Sequence, residues 1–178
     1  MLGDWFRLGW EIVTFKEGVI ERAAADESNT VGAVVMVLLG GVASAVGTLN
    51  PIGLVVGPVF GVLGLFIGTG ILWGVARLFG GTADYIGHLR AVGLANILNL
   101  ATVVPFLGPI LAVPAVLWSL AVNVIIVERL HRLSRGQAIA VVLLPVFVCC
   151  LGVLVLGVAA AVMIPGLMQA MHAKGMTV

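Results

Sequence analysis

Asp84 and His88 lie four residues apart, the spacing at which side chains meet on one face of a helix. A carboxylate placed this way can orient an imidazole for proton transfer, but the pair then needs a group to act on. The sequence holds no Ser-His-Asp set, no P-loop, no "HExxH" and no paired carboxylates, so Asp84 and His88 read as a surface pair. Histidines facing each other from two membrane spans would ligate a haem. His88, His131 and His172 instead fall at the edges of apolar runs, which argues against that arrangement. Cys149 and Cys150 are adjacent, point in different directions on a helix and have no ligand spacing around them, so they read as packing residues. No catalytic residue, metal or cofactor is expected. The groups that remain are neutral: Ser44, Thr69, Asn96, Asn99, Thr102, Ser119 and Asn123 stand inside apolar stretches, where inter-helix hydrogen bonds account for most such residues. Asn96 and Asn99 share a face of a short helix, and with Asn123 they are the candidates to line a polar cavity.

The elements that position these groups are set by composition. Of 178 residues, 61% are hydrophobic and 10% charged, and the mean hydropathy is +1.22. A soluble domain carries about a quarter charged residues, so this chain cannot cover a surface that faces water. The fold class is an all-α integral membrane bundle, and the lipid bilayer is its first partner. A formal net charge of +1 with no basic patch excludes nucleic acid.

About 30 Å of hydrocarbon takes roughly 20 helical residues. "TLNP" at 48–51 and "PFLGP" at 105–109 divide two longer apolar runs. The resulting five spans lie near 31–49, 51–79, 89–104, 107–127 and 137–164, the last bent at Pro145 and ended by Pro165. With five spans, Arg7, Lys16, Arg22, Arg77, Arg90, Arg129, Arg132 and Arg135 share one side and Lys174 stands alone on the other. The positive-inside rule then puts the N-terminus in the cytoplasm and the C-terminus outside. The chain divides into an N-terminal segment (1–30), a five-span domain (31–165) and a short external tail (166–178).

The first 30 residues contain no continuous apolar core of the length a signal peptide needs. On one continuous helical wheel Trp5, Leu8, Ile12, Val13, Phe15, Val19 and Ile20 share a side opposite Asp4, Arg7, Glu11, Glu21 and Arg22. The segment is therefore expected to be an amphipathic helix, at the membrane interface or packed on the cytoplasmic ends of the bundle. Trp5 and Trp10 suit the headgroup region, and Glu11, Glu17 and Glu21 are expected to meet the arginine-bearing loops. Arg129, Arg132 and Arg135, with the two tryptophans, are the candidate contacts for a partner or for anionic lipid.

Gly53, Gly57, Gly61, Gly64 and Gly68 follow at intervals of four, four, three and four, one stripe on a helix. Because lipid gives helices no hydrophobic reason to pair, such a stripe is a groove for close backbone packing. The first span offers a matching small surface in Gly40, Gly41, Ala43, Ser44 and Gly47. Packing of the two spans in one hairpin and pairing between chains both fit.

The stretches "FGGTADYIGHLRAVGLANI" (79–97), "VVPFLGP" (103–109) and "WSLAVNVIIVERLHRLSRGQAIAVVLLP" (118–145), after the Gly-rich second span, resemble the Yip (Ypt-interacting protein) domain family. The likeness covers about the last four spans and lies in the order and spacing of degenerate motifs. Val127 stands where the "L-x-x-x-H-x-L-S-x-G-x-A" segment begins with leucine, and the "DLYGP" segment of eukaryotic members is missing. The resemblance implies a multi-pass domain with a cytoplasmic N-terminus; eukaryotic members bind Rab-type GTPases and one another, and this compact form resembles the prokaryotic ones. The expected function is a non-enzymatic scaffold or adaptor in a prokaryotic cytoplasmic membrane. Its partners would be membrane proteins, a second copy or lipids. The alternative class is a small-molecule or lipid transporter, which needs the polar cavity, or an accessory subunit of a larger complex.

Overall fold

All elements described are helical in the computed structural model, which describes residues 1–173. In chain order they are α1 (Leu2–Val13), α2 (Val19–Ala25), α3 (Asn29–Gly47), α4 (Gly53–Leu78) and α5 (Tyr85–Ala95). A 3₁₀ segment (Asn96–Val103), α6 (Gly108–His131) and α7 (Arg135–Ala173) complete the order. Five stretches are long and apolar enough to cross a membrane: Asn29–Gly47, Gly53–Leu78, Tyr85–Val103, Gly108–His131 and Arg135–Ala161. Residues 1–142 form one compact unit, and the rest of α7 from Leu143 belongs to a second.

Several boundaries differ from the sequence reading. The third span starts at Tyr85, and α6 runs on through Glu128–His131, so the charged connection shrinks to residues 132–134. Pro165 does not end α7, which continues to Ala173 and also passes through Pro145. In hydrocarbon the backbone has no water to bond, so losing one hydrogen bond at a proline is less costly than unwinding the helix. Lys174 and the end of the expected tail lie outside the described residues. In the second unit Phe147, Val153 and Leu156 are exposed, as are Cys149 and Cys150, whose free thiols therefore sit on the helix surface and not in a core.

The N-terminal segment is two helices and not one. Phe15 (φ 61°) and Gly18 (φ 66°) turn the chain between α1 and α2. Ile12, Val13, Val19, Ile20 and Ala23 are buried in a cluster with Met36 of α3, Ala91 and Leu94 of α5 and Ile126 of α6. Trp118 Nε1 donates to the Val13 carbonyl at 2.9 Å, and its ring lies 5.4 Å from that of Phe15. The apolar face is thus taken up by neighbouring helices. Glu11 pairs with Lys16 (2.7 Å) and Arg22 (3.8 Å) inside the segment, and the expected link to the later arginines is absent among the described residues. The hydrogen bond from Lys16 holds the Glu11 carboxyl below its ordinary range.

In the first unit α3 is the helix on which the others settle. A methyl group on Gly32 would meet the Trp5 ring at 2.7 Å, and one on Gly41 would lie 2.6 Å from the Pro58 nitrogen. Ala33 packs on Gly93 of α5, Gly40 on Asn99, and Gly47 on the Thr102 carbonyl. Arg90 of α5 adds a polar clamp, donating to the Ala24 carbonyl and to Thr30 Oγ1, both at 2.8 Å.

Removing apolar contact should therefore free the N-terminal segment, and removing its ion pair should not. Ile12→Ala leaves a cavity costing about 2–5 kcal/mol and is expected to expose residues 1–28 to limited proteolysis while the rest stays intact. Lys16→Gln, at an exposed pair, is expected to change the digestion pattern little. The reverse order would overturn this reading.

Candidate functional site

Two polar features stand out in the first unit, and the chain builds them from different local devices. The first is a cleft. Asn50 accepts a hydrogen bond from the Gly53 nitrogen at 3.1 Å and so starts α4 directly after the turn. Gly57 then falls against Gly41, where a methyl group would lie 3.0 Å from the Gly41 carbonyl oxygen. Across from this hairpin runs the 3₁₀ segment, unusually long for its type at eight residues. It repeats every three residues, so Asn96, Asn99 and Thr102 stack on one face. Asn99 Nδ2 donates to Asn96 Oδ1 at 2.8 Å, Asn96 Nδ2 to the Val92 carbonyl at 3.1 Å, and Thr102 Oγ1 to the Asn99 carbonyl at 2.6 Å. The segment also stretches the third span. With a rise of about 2.0 Å per residue it brings these 19 residues to about 32 Å, where an α-helix would reach about 28 Å.

Between these walls lies a cleft of about 380 Å³, within the range of small-molecule sites. Ser44, Thr48 and Asn50 line it with Asn96, Asn99 and Thr102, and Gly53, Gly57 and Gly61 form its α4 wall. The structure brings Asn96 and Asn99 together as the spacing suggested, but leaves Asn123 out. Asn123 Nδ2 bonds its own helix at the Ser119 carbonyl (2.8 Å); it shares the α6 face of the cleft-lining Ala112 and Val116 but lies seven residues beyond Val116, about 10 Å along the helix. The five-glycine stripe divides as well. Gly53, Gly57 and Gly61 pack on α3, whereas Gly64 and Gly68 have open space where a side chain would be.

The second feature corrects the reading of the histidines. Asp84 caps α5, its carboxylate accepting the Gly87 N–H at 2.7 Å, so it is engaged by the backbone and not by His88. His88 is fully buried one turn into α5, and His131 is buried at the end of α6. His131 Nε2 and His88 Nδ1 are 2.9 Å apart, with the rings edge to face. No group of three or more His, Cys, Asp or Glu side chains that could hold a metal gathers here among the described residues. Whichever ring donates, two neutral imidazoles have one N–H and one bare nitrogen left over. His88 Nε2 and His131 Nδ1 are those leftovers, buried and without partners among the described residues.

Glycine makes the pair possible. Gly80 (φ 88°) turns the chain after α4, and Gly81 lies against His131 Nδ1, where a methyl group would collide. On the other side Arg132 (φ 55°) ends α6. Ser134 and Gln137 then form a reciprocal capping box that starts α7, with Ser134 N donating to Gln137 Oε1 at 3.0 Å and Gln137 N to Ser134 Oγ at 3.4 Å. "HRLSRGQA" is thus a buried ring, a left-handed turn, the buried Leu133 and Ala138, and a cap.

The remaining candidates lie elsewhere. Trp5 is committed to Gly32, whereas Trp10 is 62% exposed. Arg135 donates to Glu128 at 3.1 Å, Arg132 is exposed and Arg129 half-buried.

An unpaired buried imidazole costs more than no imidazole. His131→Leu is expected to destabilise the protein by about 1–3 kcal/mol, read as a fall in thermal midpoint in detergent. The double variant His88→Leu/His131→Leu should recover part of that loss, because both ends of the bond are then gone. A double variant as unstable as the sum of the singles would contradict the pairing.

Among known families, the model of the Yip1 domain matches residues 10–157. No curated protein and no solved structure matches the chain.

Proposed function

The chain belongs to the Yip1 domain family, and from that premise we propose that it is a non-enzymatic scaffold or adaptor of a prokaryotic cytoplasmic membrane. In this reading the N-terminus and the arginine-bearing turns face the cytoplasm and receive protein partners there. The observation that carries it is the division of labour among the tryptophans and arginines. Trp5 and Trp118 serve internal packing, while Trp10 and Arg132 remain exposed with no partner among the described residues. An exposed tryptophan and an exposed arginine are the side chains that most often anchor an interface. The capping box of Ser134 and Gln137 holds the turn that displays Arg132.

A second surface supports contact inside the bilayer. Gly64 and Gly68 of α4 leave a small-residue face with nothing packed on it among the described residues. A helix of a partner protein, or of a second copy, can approach closely there.

Site-specific photo-crosslinking in native membranes tests the proposal. A crosslinker replacing Trp10 or Arg132 is expected to capture a protein in stoichiometric amount, whereas one replacing the exposed Val59, on the side of α4 away from Gly64 and Gly68, yields lipid adducts. In a Cys149→Ser/Cys150→Ser background, Arg135→Cys should react with an impermeant thiol reagent from the cytoplasm only and Ile52→Cys from outside only. Capture of no protein from either cytoplasmic position, or labelling of both cysteines from one side, would overturn it.

A further inference from the structure

The cleft between α3, α4 and the 3₁₀ segment has a chemical character that the scaffold reading does not use. Its polar lining is Ser44, Thr48, Asn50, Asn96, Asn99 and Thr102, and no acidic, basic or histidine side chain lines it. A charged solute would therefore be desolvated without a counter-charge, at a cost the site does not offset. A wholly apolar occupant would leave hydrogen-bonding groups covered and unpaired. Ser44 Oγ and Asn99 Oδ1 have no protein partner among the described residues. A neutral group that both donates and accepts hydrogen bonds meets these demands.

The surroundings say how such a group would arrive. From Gly53 to Gly61 the cleft runs about 12 Å along α4, starting at the hairpin turn and going inward along a membrane span. Its α6 wall includes Val116, which is 57% exposed and lies on a helix apolar enough to face lipid. A second groove of about 280 Å³ adjoins it, sharing Ala45 and Asn50 and otherwise lined by Val46, Leu49, Pro51 and Leu54. That groove stays at the turn, whereas the Val116 side opens the polar cleft toward hydrocarbon deeper in the span, the order in which an amphiphile places its head and its chains.

We propose that this cleft binds a membrane lipid with an uncharged, hydroxyl-bearing head, of the acylglycerol class. A head hydroxyl donates to Asn99 Oδ1 and accepts from the Ser44 hydroxyl, and the acyl chains leave past Val116 into the hydrocarbon. The 3₁₀ geometry is part of the site. Non-α backbone is tolerated at membrane depth where it lines a cavity, and here it stacks the asparagines on the cleft side. The proposal is independent of the scaffold reading, which rests on Trp10, Arg132 and the Gly64 and Gly68 face, none of which lines the cleft.

Native mass spectrometry of the full chain, released from detergent micelles, tests it. Dioleoylglycerol, dioleoylphosphatidylglycerol and glycerol are offered separately at equal concentration. One dioleoylglycerol per chain is expected, surviving collision energies that strip the anionic lipid, with no adduct from glycerol alone. Ser44→Leu, which fills the cleft, and Asn99→Asp, which puts a charge in it at constant shape, should each lower occupancy at least about fivefold. Ile67→Ala, on the exposed face of α4, should not. Thermal midpoints of the variants establish that they are folded, and Ser44→Ala replaces Ser44→Leu if the larger residue is not tolerated. Equal retention of the anionic lipid, glycerol binding on its own, or occupancy unchanged in both cleft variants would overturn the proposal.

Discussion

The close approach of backbones along α3 is the constraint on which the rest of the first unit depends. In hydrocarbon an apolar side chain gains little by exchanging lipid for protein, so helices associate through van der Waals contact at short range. Nearly every turn of α3 presents a glycine or alanine to a different neighbour. Gly32 receives Trp5, Ala33 receives Gly93, Gly40 receives Asn99, Gly41 receives Gly57 and Pro58, and Gly47 receives the Thr102 carbonyl. Glycine is a poor helix former in water, by about 1 kcal/mol relative to alanine, and here that cost is set against contacts no larger residue permits.

The two polar features follow from this seam. Where α4 crosses α3 at Gly41 the helices nearly touch, and the 3₁₀ segment, held on Gly40 and Gly47, closes the cleft from the other side. At the other end the α4–α5 connection is brought over the end of α6, and Gly81 gives His131 room to reach His88. One end thus carries a neutral cleft and the other a buried imidazole pair beneath a polar surface. Ala76 and Val127, with Leu133 and Ala138, pack the space beside that pair.

What was legible in the sequence was what depends on local composition. Five apolar stretches, divided by two proline turns and two polar connections, read correctly because hydrocarbon thickness sets their length, and the degenerate motifs pointed to the family that residues 10–157 match. Features that depend on long-range contact or on an uncommon backbone were not legible. A wheel drawn through residues 5–20 assumes one helix, and nothing about Phe15 announces a positive φ. His88 and His131 are 43 residues apart, and each alone resembles a residue at a membrane edge. The signal that does exist is Gly80-Gly81 beside the motif bearing His88, a pair of glycines where neither a helix nor lipid calls for one. The three-residue spacing of Asn96, Asn99 and Thr102 before Pro105 was visible, but as an α-helix it suggested a shared face and not a stack. Asn123 was grouped with them on residue type alone, and the structure turns it into α6's own backbone.

The most direct test of the α3 seam is disulfide formation across the hairpin in the intact membrane. A Cβ at Gly53 would lie 3.1 Å from the Ala45 Cβ, close enough for a bridge after small adjustment, since bridged cysteines have their Cβ atoms about 3.5–4.5 Å apart. With Cys149 and Cys150 replaced by serine, Ala45→Cys paired with Gly53→Cys is predicted to oxidise readily. Ala45→Cys paired with Val55→Cys, whose native valine is 72% exposed on another face of α4, should stay reduced. A bridge from position 45 to 55 and none to 53 would mean that α4 does not present its glycines to α3, and the account of the fold and of the cleft would fall with it.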